Sequence, residues 1–281
     1  MSAENALQKA LVDKINNDTL VLPTLPDIVL RVRKTADDPD VNLNQMAEVI
    51  ALDPSLSARM MKIANSAYLG RAVKAETMQQ AVNRIGLSQI KNIATALAIE
   101  QLYVSKNDVI KKYLEQVWKR NIEVMSHAVA LFQLYLQQNK QSQLDLDVMT
   151  LSALLHNIGV LPILTEAERR PNEFANAAFL NQAIQKMSGK IGLSIVQEWH
   201  LGTDFETVVA SWKDMSVQSN AADPVSYVDF IRLGAVAAGF FKSQRGRVIT
   251  IGMDKEIIRD IDVFEEPEFK TVLQSVKEAF N

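Results

Sequence analysis

Apolar residues recur along this chain at helical spacing, and alternating runs flanked by turn residues are nearly absent, so the pattern predicts an all-α protein. Asn42 followed three residues later by Gln45 has the form of a capping box, in which Asn accepts from first-turn N–H groups and Gln reaches back. Asp53-Pro54 joins an N-cap to a proline whose missing N–H costs nothing in the first turn. Leu56, Met60, Ile63 and Ala67 then form one apolar stripe that ends at Gly70. Thr77 with Gln80 opens another helix, striped by Met78, Ala81, Val82 and Ile85 and closed by Gly86. Ser88 is read as the cap of the next, in which Ile90, Ile93, Ala94, Leu97 and Ala98 keep the spacing.

After Asp108 the pattern predicts one long helix reaching about Gln138, with Leu114, Val117, Val124, Ala128, Leu131 and Tyr135 on one side. The polar loop NKQSQLD separates it from the apolar helix VMTLSALLHNIG, which Gly159 and Pro162 are expected to stop. Further starts are read after Asn172, at Lys190, at Thr203 boxed with Glu206, at Asp223-Pro224 and at Glu266-Pro267. Only RVITIG, Arg247 to Gly252, alternates like a strand, and it is too short to build a sheet. A break near Tyr103 to Asp108 divides residues 1–105, an N-terminal helical lobe, from residues 106–281, a second lobe with a C-terminal helical extension.

Composition narrows the chemistry. With 281 residues, 48% hydrophobic and 22% charged, the chain can bury a substantial core and is neither disordered nor fibrous. It has no cysteine, which removes disulfides, thiolate zinc sites and a cysteine nucleophile together, so any metal would need His, Asp or Glu. The first residues carry Glu4 and Asp13 without an apolar run of signal length, and the longest strongly apolar tract is read near Ala235 to Phe241, far too short for a bilayer. The expectation is a cytoplasmic protein without a membrane partner. A net charge of −3 gives no global attraction to nucleic acid. There is no G-x-x-x-x-G-K or G-x-S-x-G motif, and Gly192 and Gly202 form no phosphate-cradling loop.

Three segments, LPTLPDIVLRVRKTADDPD, IALDPSLSARMMKIANSAYLG and MQQAVNRIGLSQIKNIA, closely resemble the first lobe of HDOD proteins, the HD-related output domains of bacterial signalling. The long helix with Trp118, then LSALLHNIG and KIGLSIVQEWHLG, resemble their second lobe, which is built like an HD-type metal phosphohydrolase. The resemblance runs over roughly residues 20–240, with its motifs in order. It implies a two-lobed helical bundle and, in catalytic relatives, a divalent ion held by imidazoles and carboxylates.

Carried over position by position, that implied ion site is degraded. The HD dipeptide is His156-Asn157 here, and Asn brings an oxygen without charge. The ligand position two residues after Trp118 is Arg120, whose guanidinium has no lone pair and repels a cation. Two further ligand positions align with Ser188 and Trp212. Only His156 and Asp229 keep metal-compatible chemistry. His127 lies one heptad beyond Arg120, about 10 Å along the helix, and reads as a packed histidine. His200 near Gly202 reads as a helix-end histidine as readily as a functional one. His156 itself is either a core histidine bonded near its helix end or a ligand.

The sharper expectation is that Arg120 replaces the ions and pairs with Asp229, while Trp212 fills the vacated volume. In the first lobe Pro23, Pro26, Asp53, Pro54, Asn65 and Ser66 match the family; as caps and helix ends they explain themselves, and they could also shape a docking surface. The sequence thus points to a non-catalytic signalling module with no catalytic residue and no cofactor, acting on signalling proteins or a small ligand, with homo-oligomerisation left open. The alternative is a divergent divalent-metal phosphohydrolase of phosphoesters or cyclic dinucleotides.

Overall fold

A computed structural model of the chain describes residues 9, 11–15, 17, 19–70, 73–169, 177–217 and 220–280, with residues 177–179 in backbone only. The chain is 73% helical and has no strand among the described residues, so the all-α expectation holds. After helical residues at 11–15, the described first part of the chain forms α1 (Asp27–Ala36), α2 (Leu43–Ala51), α3 (Pro54–Ala64), α4 (Met78–Ile85) and α5 (Leu87–Ala98). Eight follow: α6 (Asp108–Gln138), α7 (Leu146–Leu155), α8 (Val160–Arg169), α9 (Ala177–Glu198), α10 (Thr203–Ser211), α11 (Tyr227–Ala237), α12 (Arg245–Asp254) and α13 (Pro267–Phe280).

The early caps form as read. Asn42 Oδ1 accepts from the N–H groups of Asn44 and Gln45, and Gln45 Oε1 accepts from Asn42 N–H, which closes the box. Asp53 Oδ1 accepts from Leu56 N–H at 2.8 Å, with Pro54 as the first helical residue. Thr77 caps α4, but the Gln80 side chain reaches one residue further back, to Glu76 N–H. The stripe beginning at Leu56 ends sooner than read: α3 stops at Ala64, and Ala67 is exposed in a 3-10 turn before Gly70.

Other boundaries move for identifiable reasons. Gly86, at φ +95, both ends α4 and caps α5, because glycine adopts that backbone without a Cβ clash; Ser88 therefore falls inside α5. Lys190 lies within the continuous α9 and starts nothing, while Asn172 lies outside the described residues. Gly202, not Thr203, is the N-cap of α10, and Glu206 accepts from Gln197 instead of boxing Thr203. Ser226 boxes with Asp229 to start α11, so Asp223-Pro224 belongs to the preceding loop. Pro162 does not stop a helix; it sits in the first turn of α8, where its missing N–H is harmless. RVITIG is helical, in α12: Val248, Gly252 and Lys255 are the buried positions, a helical interval, and there is no strand for it to pair with among the described residues.

α6 is the spine. Helix α11 crosses it so closely that a Cβ on Gly234 would stand 2.7 Å from Ala128 N and 2.8 Å from Val124 O. α7 is buried from Met149 to Leu155 with no polar face, lying among α5, α6 and α10. Leu146–Arg169 is long and apolar enough on composition to cross a membrane, a longer apolar stretch than Ala235 to Phe241; it is mostly buried in the protein and is split by the turn between α7 and α8. One continuous apolar core links the first five helices to the rest. The C-terminal helix α13 returns across both, with Phe280 edge-on to Tyr68 at 5.4 Å and Lys277 paired to Glu123 at 2.8 Å.

Candidate functional site

The turn that ends α7 places His156 at its C-cap and Asn157 beside it. The approach of α9 is set by Gly159, where a Cβ would lie 2.0 Å from Ser188 O and 2.6 Å from Gly192 N. Only a residue without a side chain lets the Ser188 segment lie against the His156 turn. On the third side, α10 ends in Trp212, whose indole meets the His156 ring edge-on with centroids 4.6 Å apart.

The end of α10 is held by a residue that the sequence reading passed over. Arg232, buried on α11, donates from Nε to Trp212 O at 3.1 Å, and from Nη2 to the carbonyls of Ser211, Asp214 and Val217 at 2.8, 2.7 and 2.9 Å. Ser211 O and Asp214 O also accept the N–H groups of Asp214 and Val217, and the guanidinium adds a shared donor that ties the helix end to the loop after it. Burial pushes the Arg232 pKa below its ordinary value.

That cap fixes Lys213, the second residue missed. Its Nζ donates to Ser188 Oγ at 2.9 Å and to Asn157 Oδ1 at 3.1 Å, and lies 4.9 Å from the centre of the Trp212 ring. An ammonium thus stands between two of the positions where the family resemblance would put metal ligands. Burial, with a contribution from Arg120, lowers its pKa from 10.5 to about 8. The only sequence signal was adjacency to Trp212, since lysines at helix ends are common.

His156 is fully buried, and its Nδ1 lies 2.5 Å from Ala153 O; since a carbonyl only accepts, Nδ1 carries the proton. Nε2 is then a bare lone pair, buried with no hydrogen-bond partner among the described residues. Burial first, then the charges of Arg120 and Lys213, push the His156 pKa down to about 3, so the ring is neutral near pH 7. Arg120 places its guanidinium 4.4 Å from the Phe240 ring centre, a cation–π contact. Phe240 is a further residue that the sequence reading did not single out.

Asp229 does not pair with Arg120. Its carboxylate takes Ser226 N–H at 2.8 Å and Ser226 Oγ at 3.1 Å, and Lys255 Nζ contacts both oxygens at 2.9 and 3.0 Å. Lys255 comes from the end of α12, the segment misread as a strand, which is why this counter-charge was invisible in sequence. Of the six positions carried over, His156, Asn157, Ser188 and Trp212 gather around Lys213, Arg120 lies over Phe240, and Asp229 serves a separate buried ion pair.

The two other histidines stay apart. His127 Nδ1 bonds to Glu123 O at 2.7 Å and its ring lies against Phe269, a packed histidine as expected. His200, at φ +51 beyond α9, lines a groove of about 510 Å³ with Leu20, Leu22, Pro23 and Trp199. Among the first-lobe residues, Asn65 ties Ala75 through both its N–H and its carbonyl, a structural role.

A divalent ion does not fit this donor set. Its place between Asn157 and Ser188 is taken by an ammonium, a guanidinium acts on the same space, and the one carboxylate is already neutralised elsewhere. Among the described residues no group of three His, Cys, Asp or Glu side chains could hold a metal.

The fold is an all-helical bundle in which Lys213 lies between Asn157 and Ser188. Residues 22–215 match the HDOD domain family, and the chain belongs to that family. It is similar to the crystal structure of a "putative metal-dependent phosphohydrolase" from Shewanella amazonensis SB2B, 38% identical over the whole of both chains with a TM-score of 0.91. An HDOD domain protein of unknown function from Geobacter sulfurreducens shares the fold, with a TM-score of 0.60, 17% identity and coverage of 98% and 97% of the two chains. So does a "putative signal transduction protein" from Marinobacter aquaeolei VT8, with a TM-score of 0.58 and 17% identity over 98% of this chain and 64% of that one. A curated Treponema pallidum protein, named only as uncharacterized, is 24% identical over 206 residues, 69% of this chain; the chain spans 37% of that relative's length.

Proposed function

We propose that this HDOD chain is a non-catalytic regulatory module of bacterial signalling, working in the cytoplasm through contacts with signalling proteins or through a small ligand in the rebuilt pocket. The observation that carries the reading is Lys213 Nζ between Asn157 Oδ1 and Ser188 Oγ. A resident cation bonded to both oxygens would have to be displaced before any metal could bind, and Arg120 would still repel it. Family membership supports a regulatory role, and the buried, neutralised Asp229 supports the loss of metal chemistry.

A second reading, a divergent metal-dependent phosphohydrolase, is favoured by the name of the Shewanella relative and by the free lone pair on His156 Nε2. The two separate on metal analysis of the purified chain together with hydrolysis assays on generic phosphoesters in added Mn²⁺ or Mg²⁺. The module reading expects neither tightly held metal nor turnover. Near-stoichiometric metal, with turnover lost in His156→Ala, sinks it.

A further inference from the structure

We propose that the chain self-associates through the outer face of α12, two copies lying antiparallel about a two-fold axis that passes beside Thr250. α12 rests on α11 and buries Val248, Gly252 and, at its C-cap, Lys255. At about 100° per residue, the direction opposite these three is occupied by Gly246, Thr250 and Met253, all exposed. A Cβ on Gly246 would meet nothing within 4 Å, and Met253 leaves an apolar side chain 37% exposed. The small residues Gly246 and Thr250 let a second helix come close, and Met253 gives it something apolar to cover.

Charge decides what covers this face. Arg245 and Arg247 open α12 and Asp254 closes it, the reverse of what the helix dipole favours, so helix stability within one chain does not account for them. The side chains of Arg247 and Asp254 are exposed, with no hydrogen-bond or ion-pair partner among the described residues. Seven residues make nearly two turns, so both lie on one flank of the helix but about 10 Å apart along it, too far to pair with each other. A two-fold axis at Thr250 removes that separation. It brings Arg247 of each copy level, to within about 1.5 Å along the axis, with Asp254 of the other on the same flank, and it does so twice. The same operation seats each Met253 over the other copy's Gly246. A patch that complements itself in charge and in shape fits a second copy of this chain, and the antiparallel arrangement also opposes the two helix dipoles.

Sedimentation velocity of the full chain, from about 1 to about 100 μM, tests this. A reversible dimer is expected. Arg247→Glu and Asp254→Lys, each verified as folded by circular dichroism, should each weaken it at least about tenfold by setting like charges against each other. The two substitutions together should restore it, because the pairs re-form with their signs exchanged. The chain has no cysteine, so Thr250→Cys introduces a single thiol. On the axis two such thiols meet and should join as a disulfide on mild oxidation, whereas those of Thr271→Cys, exposed on α13, should not. A chain that stays monomeric to about 100 μM overturns the inference. So does a dimer unchanged in a folded Arg247→Glu chain, a double variant no tighter than the single ones, or Thr271→Cys crosslinking as readily as Thr250→Cys.

Discussion

Lys255 Nζ reaches both carboxylate oxygens of Asp229, at 2.9 and 3.0 Å, with the two side chains 1% and 2% exposed. The pair joins the end of α12 to the start of α11. It also explains why the Arg120 guanidinium is available to the pocket.

Removing one partner from so buried a pair strands a charge. Lys255→Met is expected to cost about 3–5 kcal/mol in urea unfolding. Adding Asp229→Asn should restore much of that loss, because Asn can still accept from Ser226 N–H. A double variant no more stable than Lys255→Met alone would contradict the pairing.

Arg232→Met leaves the carbonyls of Ser211, Trp212, Asp214 and Val217 without their shared donor. Ser211 O and Asp214 O keep a backbone donor, so the buried Trp212 carbonyl carries most of the cost, and a loss of about 1–3 kcal/mol is expected. Because the same carbonyls position Trp212, its tryptophan fluorescence should shift to the red before global unfolding. An unchanged spectrum would argue against the cap.

Two depressed pKa values give stability a defined pH dependence. His156 titrates near 3 when folded and near 6.5 when unfolded, so between those values the unfolded chain binds the extra proton and stability falls as pH is lowered. The slope from this group alone is at most about 1.4 kcal/mol per pH unit. Lys213 titrates near 8 when folded against 10.5, so its penalty is full below pH 8 and is relieved as pH rises from there. Buried Tyr68 and Tyr103, whose pKa values are raised, oppose it above about pH 10. Unfolding measured from pH 4 to 10 should show a shallower acid limb in His156→Gln, with His127, whose pKa burial also lowers, still contributing, and should lose the rise above pH 8 in Lys213→Met.

Close helix crossings make two glycines sensitive. Gly159→Ala and Gly234→Ala each drive a Cβ into backbone and are expected to cost about 1–3 kcal/mol or more. Gly246→Ala in α12 meets nothing within 4 Å and should stabilise by about 0.4–1 kcal/mol. Thermal melts of the three variants provide the comparison.

Local order decided what could be read directly. The Asn42 box, the Asp53-Pro54 start and the span of α6 follow from capping chemistry and apolar period, which involve residues within a few positions of each other. Where several residues compete for one cap, as at Gly86 and Ser88 or Ser226 and Asp223, composition alone does not choose, because the winner depends on how the helix must be aimed. The misreading of RVITIG has the same origin. Six residues carry too short a pattern to separate alternation from a helical face, and packing resolved them as part of α12, with no partner strand among the described residues.

The sequence by itself determined an all-helical HDOD chain, and it put Arg120, Asn157, Ser188 and Trp212, none of them an imidazole or a carboxylate, where the family resemblance implies ligands, because each of those residue types has its donor chemistry wherever it is placed. Only the tertiary structure decided which charge meets which. It brought Lys213 to Asn157 and Ser188 and Lys255 to Asp229, and it turned Arg120 onto Phe240. Ion pairs and hydrogen bonds act over a few ångströms, and residues separated by 25 to 56 positions reach that range only after the core has packed.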